Sequence, residues 1–135
     1  MTIVVDASVA IRWSATLDKS DRAQDLLQSG HDIIAPDLVI AEITNAAWKM
    51  TVFGGASVAA ATLHVEEAAN YFDELVPAAE LKDRALEIAL ALKHPAYDCF
   101  YLALAEQRGC RLATADERLR KHCLKTSFSR IIRVL

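Results

Sequence analysis

The amino-acid sequence predicts an α/β fold, a parallel β-sheet covered by helices on both faces. Three observations carry that prediction. Short apolar or β-branched segments alternate with longer segments of helical periodicity along the whole chain. The first short segment, Thr2 to Val5, has no polar side, as expected of a strand buried above and below. The 135 residues amount to one domain's worth of chain, so 1–135 reads as a single domain able to bury roughly two thirds of its unfolded surface.

The elements follow in order. After the strand Thr2–Val5, Asp6-Ala7-Ser8 offers a helix start ahead of Val9 to Ser14. Asp18 to Ser29 carries Ala23, Leu26 and Leu27 on one side and is followed by Gly30, which predicts a second helix with a glycine cap. Asp32–Ala35 reads as a strand, and Pro36 suits the first turn of a helix running from Asp37 to about Phe53, stopped by Gly54-Gly55. An alanine-rich helix is expected from about Ser57 to Glu74. Leu75-Val76 is a very short strand, confined to a sheet edge by Pro77. Asp83 to Lys93 reads as a helix packing inward through Leu86, Ala89 and Leu90, and His94-Pro95 breaks it. A helix from Ala96 to Arg108 capped by Gly109, a strand Arg111–Thr114, a short helix Asp116–His122 and a final strand Ile131–Val134 complete the chain.

Composition narrows the function. Hydrophobic residues make up 53% and charged residues 24%, with a net charge of −3, as in ordinary soluble globular proteins. No apolar run approaches the roughly 18 residues that cross a bilayer, and the first residues enter a strand without a basic leader, so no membrane role is expected. Three cysteines, Cys99, Cys110 and Cys123, form neither a disulfide framework nor a zinc motif, which suits a reducing cytoplasm. Charge is unevenly spread. Residues 1–107 hold 7 basic and 16 acidic side chains, whereas residues 108–135 hold 8 basic and 2 acidic. Such a basic segment either attracts a polyanion or an acidic partner or is simply a solvated face.

In an open parallel sheet, ligands bind beyond the carboxyl ends of the strands. Four acids fall there: Asp6 after the first strand, Glu42 on the second turn of the helix after Pro36, Asp98 near the start of the helix after Pro95, and Asp116 after the strand ending at Thr114. Taken singly, Asp6, Asp98 and Asp116 are also explained as helix caps or first-turn acids. Glu42 and Asp98 stand among apolar neighbours, where a carboxylate needs a partner or a cation. Carboxylates crowded into one crevice repel one another and take up protons unless hard divalent cations hold them ionised, and Mg²⁺ or Mn²⁺ suits oxygen ligands. The resulting chemistry is phosphodiester cleavage or phosphotransfer. The four histidines form no pair at ligand or triad spacing in the sequence.

Other chemistries lack support. All four glycines fit helix ends, leaving none for a phosphate-cradling loop, and no serine has a nucleophile-elbow setting. Cys99 lies in an apolar run and reads as an inert thiol, and the aromatic residues at helical spacing read as core or interface. Arg12 and Lys49, each about two turns beyond an acid, either steer a phosphate backbone or are surface cations.

The segments Val4-Val5-Asp6-Ala7-Ser8-Val9, PDLVIAEITNAAW with Glu42, HPAYDCFYLALAEQRG with Asp98, and LATADERL with Thr114 and Asp116 together resemble the PIN domain, and more narrowly the VapC-type toxin ribonucleases of toxin-antitoxin pairs. The resemblance implies a three-layer α/β/α fold around a short central parallel sheet of about five strands. It implies that Asp6 and Asp98 are the principal ligands of Mg²⁺ or Mn²⁺, that Glu42 and Asp116 complete the metal site, and that Thr114 supports it. It further implies an RNA substrate (tRNA, rRNA or mRNA), a homodimer, and inhibition by a cognate VapB-type antitoxin. Glu117 beside Asp116 either adds a ligand or begins a helix, and the apolar stretch Trp48 to Phe53 suits an antitoxin interface. Two other readings remain at this stage. A receiver-like phosphoacceptor lacks the second acid beside the first strand and the lysine after the last. A catalytically silent module that binds RNA or a partner has the same acids without turnover.

Overall fold

A computed structural model describes residues 1–135. Five strands, β1 (Thr2–Val5), β2 (Asp32–Pro36), β3 (Glu74–Val76), β4 (Arg111–Thr114) and β5 (Ile132–Val134), form one parallel sheet in the order β3-β2-β1-β4-β5. Seven helices connect them: α1 (Ala7–Ala10), α2 (Ser20–Leu27), α3 (Leu38–Val52), α4 (Val58–Asn70), α5 (Lys82–Leu92), α6 (Ala96–Arg108) and α7 (Glu117–Cys123). This is the expected three-layer α/β/α arrangement. From β1 the chain moves outward through β2 to β3, then returns across the sheet to β4 and β5. Because parallel crossovers are right-handed, α1 to α4 cover one face and α5 to α7 the other. The loops after the adjacent strands β1 and β4 therefore leave on opposite faces and open a crevice between them.

The strands are short, the three central ones are largely buried, and Val4, Val5, Leu112 and Ala113 have no exposed surface. Register pairs Val5 with Ala113, and the Asp6 amide extends the ladder by donating to the Ala113 carbonyl at 3.3 Å. That register sets Asp6 beside Thr114. Helix α6 packs under the centre of the sheet with Cys99, Tyr101, Leu102, Leu104 and Ala105 buried, and it ends on Gly109, whose φ of +62° closes the helix in a left-handed cap.

Several expectations are corrected. The first helix is α1 followed by a 3-10 turn over Ile11–Trp13, since the Trp13 ring, with its Nε1 donating to the Ala23 carbonyl, turns the chain into the core. Pro36 ends β2 rather than opening α3, a position open to it because proline accepts on its carbonyl but lacks only the donor. Helix α4 stops at Asn70, four residues earlier than expected, and Glu74 is already a strand residue pairing with Ile34. Edge placement of β3 is as expected. In α5 the inward face is Ala85, Ile88 and Ala89, whereas Leu86 and Leu90 are 55% and 71% exposed. Both faces of that helix carry apolar residues, so periodicity alone placed Ala89 correctly but put Leu86 and Leu90 on the wrong face.

Candidate active site

Asp6 lies at the end of β1, where it both caps a helix and lines a cavity. It caps α1, with Oδ1 accepting from the Val9 amide at 3.2 Å, and it is 5% exposed at the floor of a cavity of about 370 Å³. Two hydroxyls hold it: Ser8 Oγ donates to Oδ1 and Thr114 Oγ1 donates to Oδ2, each at 2.5 Å. Ser8 Oγ in turn accepts from the Ala115 amide, so the loops after β1 and β4 are tied together around this carboxylate.

The crevice brings all four acids together. Asp6, Glu42, Asp98 and Asp116 line the same cavity, and Thr114 lies fully buried behind Asp6. Glu42 reaches in from α3 and accepts a hydrogen bond from Tyr101 Oη at 2.6 Å. Asp98 comes from the first turn of α6. Asp116 caps α7 by accepting from the Arg118 amide at 2.9 Å. Glu117 begins α7, pairs with Arg120 at 2.9 Å and does not line the cavity.

Electrostatics follows from this crowding. Burial lifts the Asp6 carboxyl to about 6, against the opposing hydrogen bonds of Ser8, Thr114 and Val9, and the Asp98 charge adds to the rise. Burial also raises Glu42, opposed by the Tyr101 hydroxyl and reinforced by Asp98. Arg118 is the single lysine or arginine side chain lining the cavity, and it stands 3.8 Å from Asp116 with its side chain 86% exposed. Burial and the Asp98 charge push the Cys99 thiol up to about 12, and the side chain is fully buried, as its apolar neighbours predict.

The fit to a cation can be judged from the donors. All four candidate ligands are oxygens, their mutual repulsion is the situation a hard divalent ion relieves, and each carboxylate keeps lone pairs beyond those engaged by neighbours. No three acidic, histidine or cysteine side chains converge on one point at ligand distance, so holding an ion here takes side-chain rotation.

Sequence reasoning missed the histidines. His94 and His122 meet across 28 residues of chain, Nδ1 to Nδ1 at 2.6 Å, and His94 Nε2 lies 2.6 Å from Asp98 Oδ2. The i, i+4 relation of His94 to Asp98 was the available signal, obscured by Pro95 between them. Ser8, two residues after Asp6, and Tyr101, three after Asp98, were also overlooked. The chain has only three buried polar or charged residues, Asp6, His94 and Thr114, and all three belong to this crevice. Arg12, by contrast, is committed to Asp18 at 3.0 Å and to the Ser8 carbonyl, which makes it a loop clamp.

Comparison with known proteins agrees with this geometry. The family model of the PIN domain matches residues 3–124, and the chain belongs to the PIN domain family. It is 34% identical over 131 residues to Ribonuclease VapC3 of Pyrobaculum aerophilum, spanning 88% of this chain and 92% of that protein. Among solved structures it is similar to PAE2754 from Pyrobaculum aerophilum, with a TM-score of 0.69 and 25% sequence identity, covering 95% of this chain and 88% of that one. No helix is long and apolar enough to cross a membrane.

Proposed function

We propose that this protein is a Mg²⁺- or Mn²⁺-dependent endoribonuclease and the toxin of a toxin-antitoxin pair. The observation that carries the reading is the convergence of four carboxylates, the buried Asp6 among them, with the buried His94 and Thr114 around one crevice at the carboxyl edge of the sheet. Membership of the PIN family and likeness to a protein named as a ribonuclease support it. Asp6 and Asp98 would be the principal holders of the cation, with Glu42 and Asp116 completing the set. A divalent cation bound there activates a water towards phosphorus and offsets charge on the phosphate oxygens.

The chain's own residues supply position. Ser8, Val9 and Thr114 clamp Asp6, Tyr101 orients Glu42, and Arg118 at the rim offers a phosphate a bidentate partner. Beyond Arg118, α7 continues with Arg120 and Lys121, so part of the basic carboxyl-terminal segment borders the acidic cavity. An anionic backbone lying across α7 would meet cations before it meets carboxylates. A second, more apolar groove of about 490 Å³ adjoins the cavity, shares Ser8 and Glu42 with it and runs along α3 to Lys49. It is a suitable seat for the inhibitory segment of a VapB-type antitoxin, and a homodimer is part of the same reading.

The test is cleavage of total cellular RNA, including tRNA and rRNA, by purified protein in Mg²⁺, Mn²⁺ or EDTA, with Asp98→Asn alongside. Discrete fragments that need the cation and the aspartate are expected. RNA bound but intact under every condition would replace this reading with the silent binding module.

A further inference from the structure

We propose that His94 and His122 form a relay that positions Asp98, making them positioning residues for the cation. The inference rests on the reading of Asp98 as a ligand and extends it to two histidines that line the same cavity, one of them in contact with Asp98.

The relay is built by the break between α5 and α6. Lys93 takes a left-handed conformation (φ +53°) at the end of α5, the His94 amide donates to the Ala89 carbonyl at 3.2 Å, and Pro95 opens α6. These contacts press the His94 side chain inward until only 4% of its surface remains exposed, while His122, on the last turn of α7, stays at the surface. The two rings meet edge to face, with centroids 4.7 Å apart and planes at 84°.

A carboxylate accepts, so His94 Nε2 directs its hydrogen at Asp98 Oδ2 at 2.6 Å. On its other side His94 Nδ1 meets His122 Nδ1 at 2.6 Å, and the two nitrogens share one hydrogen bond. Both nitrogens of a buried ring are thereby satisfied, and the ring has one orientation available. Asp98 Oδ2 is engaged by His94, which leaves Oδ1 without a hydrogen-bond partner in the protein. A purely structural histidine would need only its two hydrogen bonds. This one directs its donor at a cavity-lining acid, the same arrangement by which outer partners fix the orientation and basicity of metal ligands.

The test measures Mn²⁺ binding by calorimetry and by the EPR signal of free Mn²⁺, with urea unfolding of each variant run in EDTA. His94→Phe keeps the ring volume and removes the donor, His94→Gln restores a donor at similar reach, and His122→Phe removes the outer member. Mn²⁺ affinity is expected to fall about 10- to 100-fold in His94→Phe, to recover in His94→Gln to within about threefold of wild type, and to fall by about threefold or more in His122→Phe. Wild-type affinity in a folded His94→Phe would overturn the relay. Should that variant fail to fold, His122→Phe decides, and unchanged affinity there overturns it equally. Absence of Mn²⁺ binding by the wild-type protein would instead refute the reading of the site itself, so the two failures are distinguishable.

Discussion

Replacing Asp6 by asparagine should stabilise the protein in EDTA at neutral pH, although it removes the most deeply held acid of the site. Folding lifts this carboxyl from an ordinary 3.8 to about 6, mainly by burial. A rise of that size means the charged form is disfavoured in the fold by about 3 kcal/mol. Because the folded chain binds the proton more tightly, wild-type stability falls as pH rises from about 4 to about 6 and then levels off. Asparagine carries no charge, so it escapes this penalty. It keeps one acceptor oxygen for Ser8 and Val9 but turns an amide towards Thr114, whose hydroxyl now donates to Asp6. Disrupting that bond costs about 1 kcal/mol. The net expectation is a variant about 2 kcal/mol more stable than wild type at pH 7.5, with the advantage gone by pH 4. Urea unfolding of both proteins from pH 4 to pH 8 in EDTA measures it, and the difference between them isolates Asp6 from the other carboxylates. With Mn²⁺ at about 100 times its dissociation constant, wild type gains about 2.7 kcal/mol and the order reverses. A variant less stable than wild type at pH 7.5 in EDTA, or a difference constant across the pH range, would refute the account of Asp6 as a strained, cation-seeking carboxylate.

Three further outcomes are expected. Tyr101→Phe removes the hydroxyl that donates to Glu42 and should lower stability by about 1.5 to 3 kcal/mol at pH 7.5, read by urea unfolding; no change would mean that Glu42 is held by other contacts. Ile88→Ala should lower stability by about 2 to 4 kcal/mol while Leu90→Ala stays within about 0.5, because α5 buries the first and exposes the second; equal losses in thermal or urea melts would contradict the observed face. Phe53→Asp, at a ring 78% exposed and packed edge to face on Trp48 at 5.7 Å, should leave folding intact and weaken antitoxin binding at least tenfold by calorimetry; undiminished affinity would place the antitoxin elsewhere.

Much of this architecture is legible in the amino-acid order because its signals are local. Short segments such as Thr2–Val5 and Arg111–Thr114, apolar at their centres, mark strands, Gly109 and His94-Pro95 mark helix ends, and acids placed after strands mark the crevice of a parallel sheet. Asp6, Glu42, Asp98 and Asp116 are identifiable on that basis and Thr114 by the resemblance to the PIN domain; the crevice gathers the four acids, with Thr114 hydrogen-bonded to Asp6. The inward face of α5 is not identifiable, because Leu86 and Leu90 satisfy helical periodicity as well as Ala85, Ile88 and Ala89 do. Only packing against α6 selects between them. Nor is the histidine pair, since residues 94 and 122 are joined by the return of the chain through α6, β4 and α7 rather than by any spacing. Tyr101 and Glu42, 59 positions apart, meet for the same reason. Local composition specifies which segments can be buried and where charge must sit, whereas the partners of each charge depend on which elements the sheet order brings side by side.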